Sequence, residues 1–217
     1  MRRIAKSEKP GVLSEKAEQW TAEYKAATEK KPTPWKHEEI RAALRSETDS
    51  RCAYCESEIN SVTYDQIEHI LPKSRFPDLV VDWNNLTLVC PRCNNLKRDY
   101  YDPGEGLVNP YVDRPSDHIV FLGSWIWPRP GNGRGKKTVD ILGLCRAELV
   151  QRRQRRLEWM MSLVEQWKAA DGEYRERIQE IINDDFEAGE YQAMVEAFLG
   201  EWGFPLRQKS GEYSASA

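Results

Sequence analysis

The sequence predicts an α+β protein that is mainly α, with a small hairpin-and-helix module set between two helical segments. Two observations support this class. Apolar residues recur at helical spacing towards both ends of the chain. Residues 49–102 instead hold short apolar runs between cysteine pairs, Pro and Asn. With 217 residues, 40% of them hydrophobic and 31% charged, the chain is long and apolar enough to bury a core.

These patterns divide the chain into five parts. The helical segments flank the module, a loop-rich connector follows it, and a polar tail that we expect to be disordered ends the chain. In order these are the N-terminal helical segment, residues 1–48; the module, 49–102; the connector, 103–137; the C-terminal helical region, 138–205; and the tail, 206–217.

The N-terminal segment predicts two helices. The first begins at Ser14, which is placed as an N-cap, and carries apolar residues such as Trp20 and Tyr24 on one face. The second spans residues 35–47, with Ile40 and Leu44 facing inward.

The C-terminal region predicts one long amphipathic helix and two shorter ones near residues 174–182 and 189–199. The apolar face of the long helix comprises Leu149, Leu157, Met160, Met161, Val164 and Trp167. In the connector, GNGRG lacks the spacing of a Walker motif, so we interpret it as a turn.

Composition narrows the function classes. The formal charge of −3 gives no overall basic field, so a nucleic-acid role must depend on local patches. No stretch approaches the ~20 apolar residues of a membrane span, and the N-terminus lacks the apolar core of a signal peptide. We therefore expect a cytoplasmic protein, in which cysteines bind metal more often than they form disulfides.

Two CxxC pairs predict a structural zinc site. Cys52 with Cys55, and Cys90 with Cys93, have the spacing that places two thiolates on adjacent corners of a zinc tetrahedron. Such a closed four-sulfur site supplies folding energy rather than chemistry. The alternative is four unrelated buried cysteines. The fifth cysteine, Cys145, is expected to be a small buried apolar side chain.

The segment between the pairs contains a candidate catalytic site. Glu68 and His69 lie side by side in QIEHILPKS, and Asn94 follows the second cysteine pair at a helix start. If the hairpin packs on that helix, Glu68 and Asn94 can offer oxygens to Mg²⁺ or Mn²⁺ while His69 faces the attacking water. The alternative for Glu68 and His69 alone is a solvent-facing pair at a strand edge.

Lys97 and Arg98 follow Asn94 at i+3 and i+4, which predicts one shared helix face. These two residues, or Arg92, could neutralise charge on a phosphate. Basic residues beside a zinc knuckle more often make plain backbone contacts. His37 and His118 have no comparable neighbours and are expected at the surface and at the edge of the core.

The run CAYCE, IEHILPKS and WNNLTLVCPRCNNLKRD resembles the zinc-stapled HNH endonucleases, which have a ββα-metal fold. The resemblance implies that His69 is the general base and Glu68 a metal ligand. It makes Asn85, or Asn84, the residue that ties the loop to the hairpin, and Asn94 the final motif position. That position is most often His in the family, so the change bears on metal affinity or preference. The implied reaction is phosphodiester hydrolysis to 5′-phosphate and 3′-hydroxyl ends.

The flanking segment KKTVDILGLCRAELVQRR is similar to that of the PtuB family, the HNH components of Septu-type anti-phage systems, which also accompany some retrons. Cys145 stands where those relatives usually have Asn. This resemblance implies a hetero-oligomer with a PtuA-like ATPase of the ABC/SMC type. RRQRR at residues 152–156, with nearby Trp and Met, suits a partner interface, nucleic-acid phosphates or a plain solvated helix face equally well.

Three functional hypotheses remain. The leading one is a metal-dependent HNH endonuclease, with DNA favoured as substrate and RNA as an alternative, acting in a defence complex. The second is a zinc-stapled nucleic-acid binding module without catalysis. The third is a stand-alone, restriction-like HNH nuclease.

Overall fold

The computed structural model describes residues 1–59 and 64–207. Within these ranges the protein is mainly helical, with two separate two-stranded antiparallel sheets, as the sequence predicts. No helix in the described ranges is long and apolar enough to cross a membrane. Apart from residues 206–207, the tail predicted to be disordered lies outside the described residues.

Helix α1 spans Gly11–Ala26 and begins three residues before the predicted cap, Ser14. Pro10 occupies the N-cap position, and Val12 and Leu13 are buried in the first turn. The prediction missed this start because it relied on Ser14 as a cap. The sequence pattern does not reveal that the turn before Ser14 packs against the core.

Helix α2 spans Glu38–Thr48, and Ile40 and Leu44 are fully buried, as predicted. The predicted helix start at Trp35 is wrong, because Trp35 lies in a separate 3-10 turn, Pro34–Lys36. His37 ends this turn and caps α2, since its Nδ1 accepts a hydrogen bond from Glu39 N at 3.3 Å.

The central module is a hairpin followed by a short helix. Strand β1, Gln66–His69, pairs antiparallel with β2, Leu86–Val89. Helix α3, Pro91–Lys97, follows β2 directly and contacts β1. The long hairpin connection contains two 3-10 turns, Pro77–Leu79 and Trp83–Asn85.

The connector is more regular than its Gly and Pro content predicts. Strands β3, Ile119–Leu122, and β4, Trp125–Pro128, form a second antiparallel hairpin. Helix α4 covers Gly133–Ile141, so the predicted turn GNGRG includes its first residues. Asn132 caps α4 through its side-chain oxygen.

The C-terminal region forms a three-helix unit. Helices α5, Ala147–Ala169, α6, Gly172–Ala188, and α7, Gln192–Glu201, contact one another. The predicted apolar face of α5 is buried except for Met161, which is partly exposed. Helix α6 is about twice as long as predicted, because only Ile178 and Ile182 of its apolar residues are buried and its ends are polar.

Three arginines of the RRQRR run make contacts within this unit. Arg152 pairs with Glu190, Arg156 pairs with Asp185, and Arg153 is only 1% exposed and donates to Leu144 O at 2.7 Å. Arg155 is exposed. Three of the four arginines of the run therefore already have partners within the described protein.

Candidate active site and metal cluster

The four predicted cysteines meet at one point. One sulfur from each of Cys52, Cys55, Cys90 and Cys93 lies within 4.8 Å of every other, and all four residues are buried. Cys52 and Cys55 lie in the turn before β1, whereas Cys90 caps α3 and its Sγ accepts a hydrogen bond from Cys93 N. These sulfurs could hold a metal ion that ties the first turn to α3.

The chemistry of the cluster fits a cation. Burial raises the pKa of the Cys52 thiol well above its ordinary value, because a thiolate is poorly solvated there. Thiolates this close together repel one another, so all four cysteines can be deprotonated together only if a positive charge compensates them. A metal ion at the centre of the four sulfurs would supply that charge.

The C-terminal region contributes a second positive charge to the cluster. Arg146, the N-cap of α5, directs Nη1 and Nη2 at Cys93 Sγ, each at 3.8 Å. Nη1 also lies 3.3 Å from Leu142 O and 3.2 Å from Gly143 O. The guanidinium therefore joins the α4–α5 connection to the sulfur cluster.

Glu68 and His69 leave β1 in different directions. Glu68 turns towards α3, and His69 turns towards the long hairpin connection and the N-terminal segment. Regular alternation along a strand produces this separation. Both residues nevertheless line one cleft of about 620 Å³, because β1 ends at His69 and the chain bends there.

The carboxylate of Glu68 is buried beside a buried ammonium group. Lys97 Nζ, on a side chain only 2% exposed, donates to Glu68 Oε1 at 2.6 Å and to His69 O at 2.9 Å. Burial raises the pKa of Glu68, and the Lys97 charge opposes that rise. Lys97 thus fixes one oxygen of Glu68 and the backbone of His69.

The imidazole of His69 is held on two sides. Nε2 lies 2.9 Å from Val80 O, and because a carbonyl only accepts, Nε2 carries the proton. The Trp35 ring meets the imidazole at 4.9 Å in an edge-to-face arrangement. Burial lowers the pKa of His69 to about 4, so the ring is neutral at pH 7 with its lone pair on Nδ1.

Asn85 holds the hairpin connection in place. Its Oδ1 accepts from Leu71 N at 2.7 Å, and its Nδ2 donates to Leu71 O at 3.0 Å and Leu79 O at 3.1 Å. The side chain therefore bridges two points of the connection that carries Val80, the partner of His69. Asn84, the alternative position, is exposed.

Asn94 lines the same cleft as Glu68 and His69. Its Nδ2 donates to Gln66 Oε1 at 2.6 Å, so the amide group is oriented by β1. This hydrogen bond involves the amide nitrogen of Asn94, so the amide oxygen Oδ1 remains available as an acceptor.

The three basic residues predicted near the site occupy different positions relative to the cleft. Lys97 is buried against Glu68 and does not line the cleft, whereas Arg98 does. Asn94 and Arg98 line the cleft together, although α3 ends at Lys97 and Arg98 has a positive φ of 50°. The predicted shared face of Asn94, Lys97 and Arg98 is therefore wrong at Lys97, which turns inward to Glu68. Arg92 does not line the cleft.

Among the residues near the site that were not predicted are Trp35 and Lys73. Trp35 comes from outside the module and packs on His69. Lys73 lines the cleft with its Nζ 5.3 Å from the centre of the Trp35 ring. The PKS stretch after the Glu-His pair offered a signal for Lys73, but no sequence pattern places Trp35 beside His69.

The other two histidines and Cys145 lie apart from this cleft. His118 is partly buried, with Nδ1 3.2 Å from Asn132 Oδ1, which agrees with the predicted edge of the core. Cys145 was predicted to be a small buried apolar side chain. It packs against the core but is only partly buried, and its Sγ donates to Ile126 O at 3.0 Å.

Comparison with known proteins supports the predicted family resemblance. The family model described as HNH endonuclease matches residues 52–99, which include both cysteine pairs and the cleft residues of β1 and α3. The central module therefore resembles an HNH endonuclease.

The chain is also similar to two proteins named Septu protein PtuB. That of Bacillus thuringiensis is 38% identical over 111 residues, covering 51% of this chain and 42% of the relative. That of Bacillus mycoides (strain KBAB4) is 32% identical over 150 residues, covering 55% of this chain and 51% of the relative. The chain thus spans about half the length of the curated relatives it matches.

Replacing Asn85 with Ala should lower the free energy of unfolding by about 1–3 kcal/mol, because it removes three hydrogen bonds and leaves backbone groups of Leu71 and Leu79 without this partner. Urea unfolding followed by circular dichroism measures this change. The exposed neighbour provides a matched control, since Asn84→Ala should change stability by less than about 0.5 kcal/mol. Equal stability of the two variants would contradict the bridging role of Asn85.

Proposed function

We propose that this protein is a metal-dependent HNH endonuclease that hydrolyses phosphodiester bonds of nucleic acid, with DNA favoured over RNA. The observation that carries the proposal is the cleft that brings together a neutral imidazole, a carboxylate and an amide from separate parts of the chain, His69, Glu68 and Asn94. A binding module would have no use for this set. The match of residues 52–99 to HNH endonucleases supports the same reaction.

His69 acts as the general base in this proposal. Its Nε2–H is donated to Val80 O, so Nδ1 is available to take a proton from the attacking water. Trp35 restricts rotation of the ring, and Asn85 holds the segment that carries Val80. The base is therefore positioned by contacts made before a substrate binds.

Glu68 and Asn94 suit a hard divalent cation. Lys97 occupies Glu68 Oε1, so Oε2 and Asn94 Oδ1 are the oxygens that would hold Mg²⁺ or Mn²⁺ at the cleft. Such an ion, when bound, supplies stabilisation of negative charge on the phosphate and the leaving 3′ oxygen. We assign Lys97 to positioning of Glu68, and Lys73 and Arg98, which line the cleft, to phosphate contacts.

The four-cysteine cluster binds zinc in this proposal. Four sulfurs within 4.8 Å of one another suit the tetrahedral Cys₄ arrangement that zinc adopts in structural sites. Because all four ligand positions are filled by sulfur, the ion stabilises the fold and takes no part in hydrolysis.

The chain further acts, we propose, as the nuclease subunit of an anti-phage complex with a PtuA-like ATPase. The support is its similarity to two proteins named Septu protein PtuB. Helix α5 contributes an independent observation, because Trp159 and Met161 are exposed on it. Exposed aromatic and Met side chains are typical of interfaces.

His69→Ala should reduce cleavage of nucleic acid by at least about 100-fold, because a general base contributes that much or more. The rate of cutting of end-labelled DNA in Mg²⁺ measures the reduction, and the products of the parent protein should carry 5′-phosphates. His37→Ala is the matched control and should retain cleavage, since His37 caps α2 and does not line the cleft. Full activity of the His69 variant would disprove the assigned base.

Cys93→Ser should remove a bound zinc ion and about 3 kcal/mol or more of stability, which lowers Tm by about 6–12 °C in a protein of this size. Metal analysis of the purified protein and thermal unfolding give the two readouts. Cys145→Ser should keep the full zinc content, because Cys145 is not one of the clustered cysteines. Unchanged zinc and Tm in the Cys93 variant would exclude the structural zinc site.

Affinity purification of the tagged chain from its native host should recover an ATPase in stable stoichiometry, and ATP should alter cutting by that complex. Mass spectrometry identifies the partner, and nuclease assays with and without ATP measure the coupling. A chain that elutes alone and cuts at its full rate would instead support a stand-alone nuclease.

A further inference from the structure

The second hairpin carries an exposed aromatic surface. Val120 pairs with Trp127 and Leu122 pairs with Trp125, so these four residues lie on one face of the β3–β4 hairpin. Leu122 is 59% exposed, Trp125 49% and Trp127 53%. We call this surface, formed by Val120, Leu122, Trp125 and Trp127, the tryptophan face.

The opposite face of the hairpin anchors it to the protein. Ile119 and Ile126 are buried in the core, and β4 packs on α4. The Cys145 thiol donates to the backbone carbonyl of Ile126 at 3.0 Å. The two tryptophans therefore extend from a fixed support.

An arginine-lined cavity adjoins the tryptophan face. The cavity has a volume of about 380 Å³, and Val120 lines it together with Phe121. Its basic lining residues are Arg2, Arg3, Arg114 and Arg129. One carboxylate, that of Glu196, also lines this cavity.

The cavity carries an excess of positive charge, because four arginines and one carboxylate line it. Arg2 pairs with Asp49, which does not line the cavity. Arg129 donates Nε to Ser116 O, a neutral acceptor. In a chain with a formal charge of −3, this local excess favours an anionic ligand.

We infer that the tryptophan face and the adjoining arginine cavity bind single-stranded nucleic acid, with bases stacked on Trp125 and Trp127 and phosphates paired with Arg3, Arg114 and Arg129. Exposed aromatic rings beside guanidinium groups provide the two contacts that a single strand requires. A duplex keeps its bases paired and so uses only the arginines. The inference rests on the proposed function, and it adds a substrate-holding surface outside the cleft.

The test measures binding of a fluorescein-labelled oligothymidylate of about 30 nucleotides, long enough to cover several stacking sites, by fluorescence anisotropy. The full chain carries His69→Ala and divalent ions are omitted from the buffer, so that no strand is cut. Adding Trp125→Ala and Trp127→Ala together should weaken binding at least about tenfold, since each base–aromatic stack contributes substantially. Trp159→Ala is the matched control, because Trp159 is 51% exposed on α5, and it should leave affinity unchanged.

Charge reversal tests the arginines separately. Arg3→Glu combined with Arg114→Glu should weaken binding of the oligothymidylate and reduce the slope of log affinity against log salt by about 0.7 for each phosphate that is no longer paired with an arginine. Circular dichroism and zinc content of each variant show whether it is folded. Folded variants that keep the parent slope would overturn the pairing of these arginines with phosphates.

The outcomes separate this inference from the proposed nuclease. If folded variants of the tryptophan face bind the oligothymidylate as the parent does, the inference is wrong, whether or not the protein cuts. If those variants instead fail to retain a co-purifying protein while still binding the strand, the face is a protein interface and the inference is also wrong. Full cutting by His69→Ala alone would remove the proposed catalytic assignment and leave the binding result intact.

Discussion

The arrangement of the central module depends on four cysteine sulfurs that lie close together in space, although their two pairs are distant in the sequence. Cys52 and Cys55 precede β1, and Cys90 and Cys93 begin α3, so the cluster connects the two ends of the hairpin. The strands between them have only four residues each, too few to form a stable hairpin alone. With the ends joined, Glu68 reaches Lys97 of α3, and the carboxylate is fixed within one helical turn of Asn94. The sulfur cluster thus helps to set the positions of the cleft residues Glu68 and Asn94.

The flanking helical segments contribute side chains that contact the cleft and the sulfur cluster of the module. Trp35 from the N-terminal segment packs on His69, and Arg146 from the C-terminal region contacts Cys93. Asp65, just before β1, pairs with Arg41 and Arg45 of α2, which fixes the start of the strand against the N-terminal helices. Both His69 and the sulfur cluster therefore have partners outside residues 52–99, the range that resembles HNH endonucleases.

Sequence patterns predicted the parts of the site that depend on local spacing. The CxxC pairs indicated a shared metal cluster because each pair lies on a single turn, and the resemblance to HNH endonucleases suggested a bridging role for Asn85. The patterns did not predict the inward turn of Lys97, because burial beside Glu68, not helical spacing, decides its direction. They did not predict the contact of Trp35 with His69, which depends on packing between distant segments. The β3–β4 hairpin was also missed, because its exposed tryptophans obscure the alternation of buried and exposed positions that usually marks a strand.

The guanidinium of Arg146 has a consequence for any attempt to transplant the central module into another scaffold. A graft that stops at the end of α3 would leave the sulfur cluster without the positive group that lies 3.8 Å from Cys93. The recipient scaffold would have to supply an equivalent positive group beside the sulfurs. A portable unit of this protein would therefore have to include at least Trp35 and Arg146 in addition to the module.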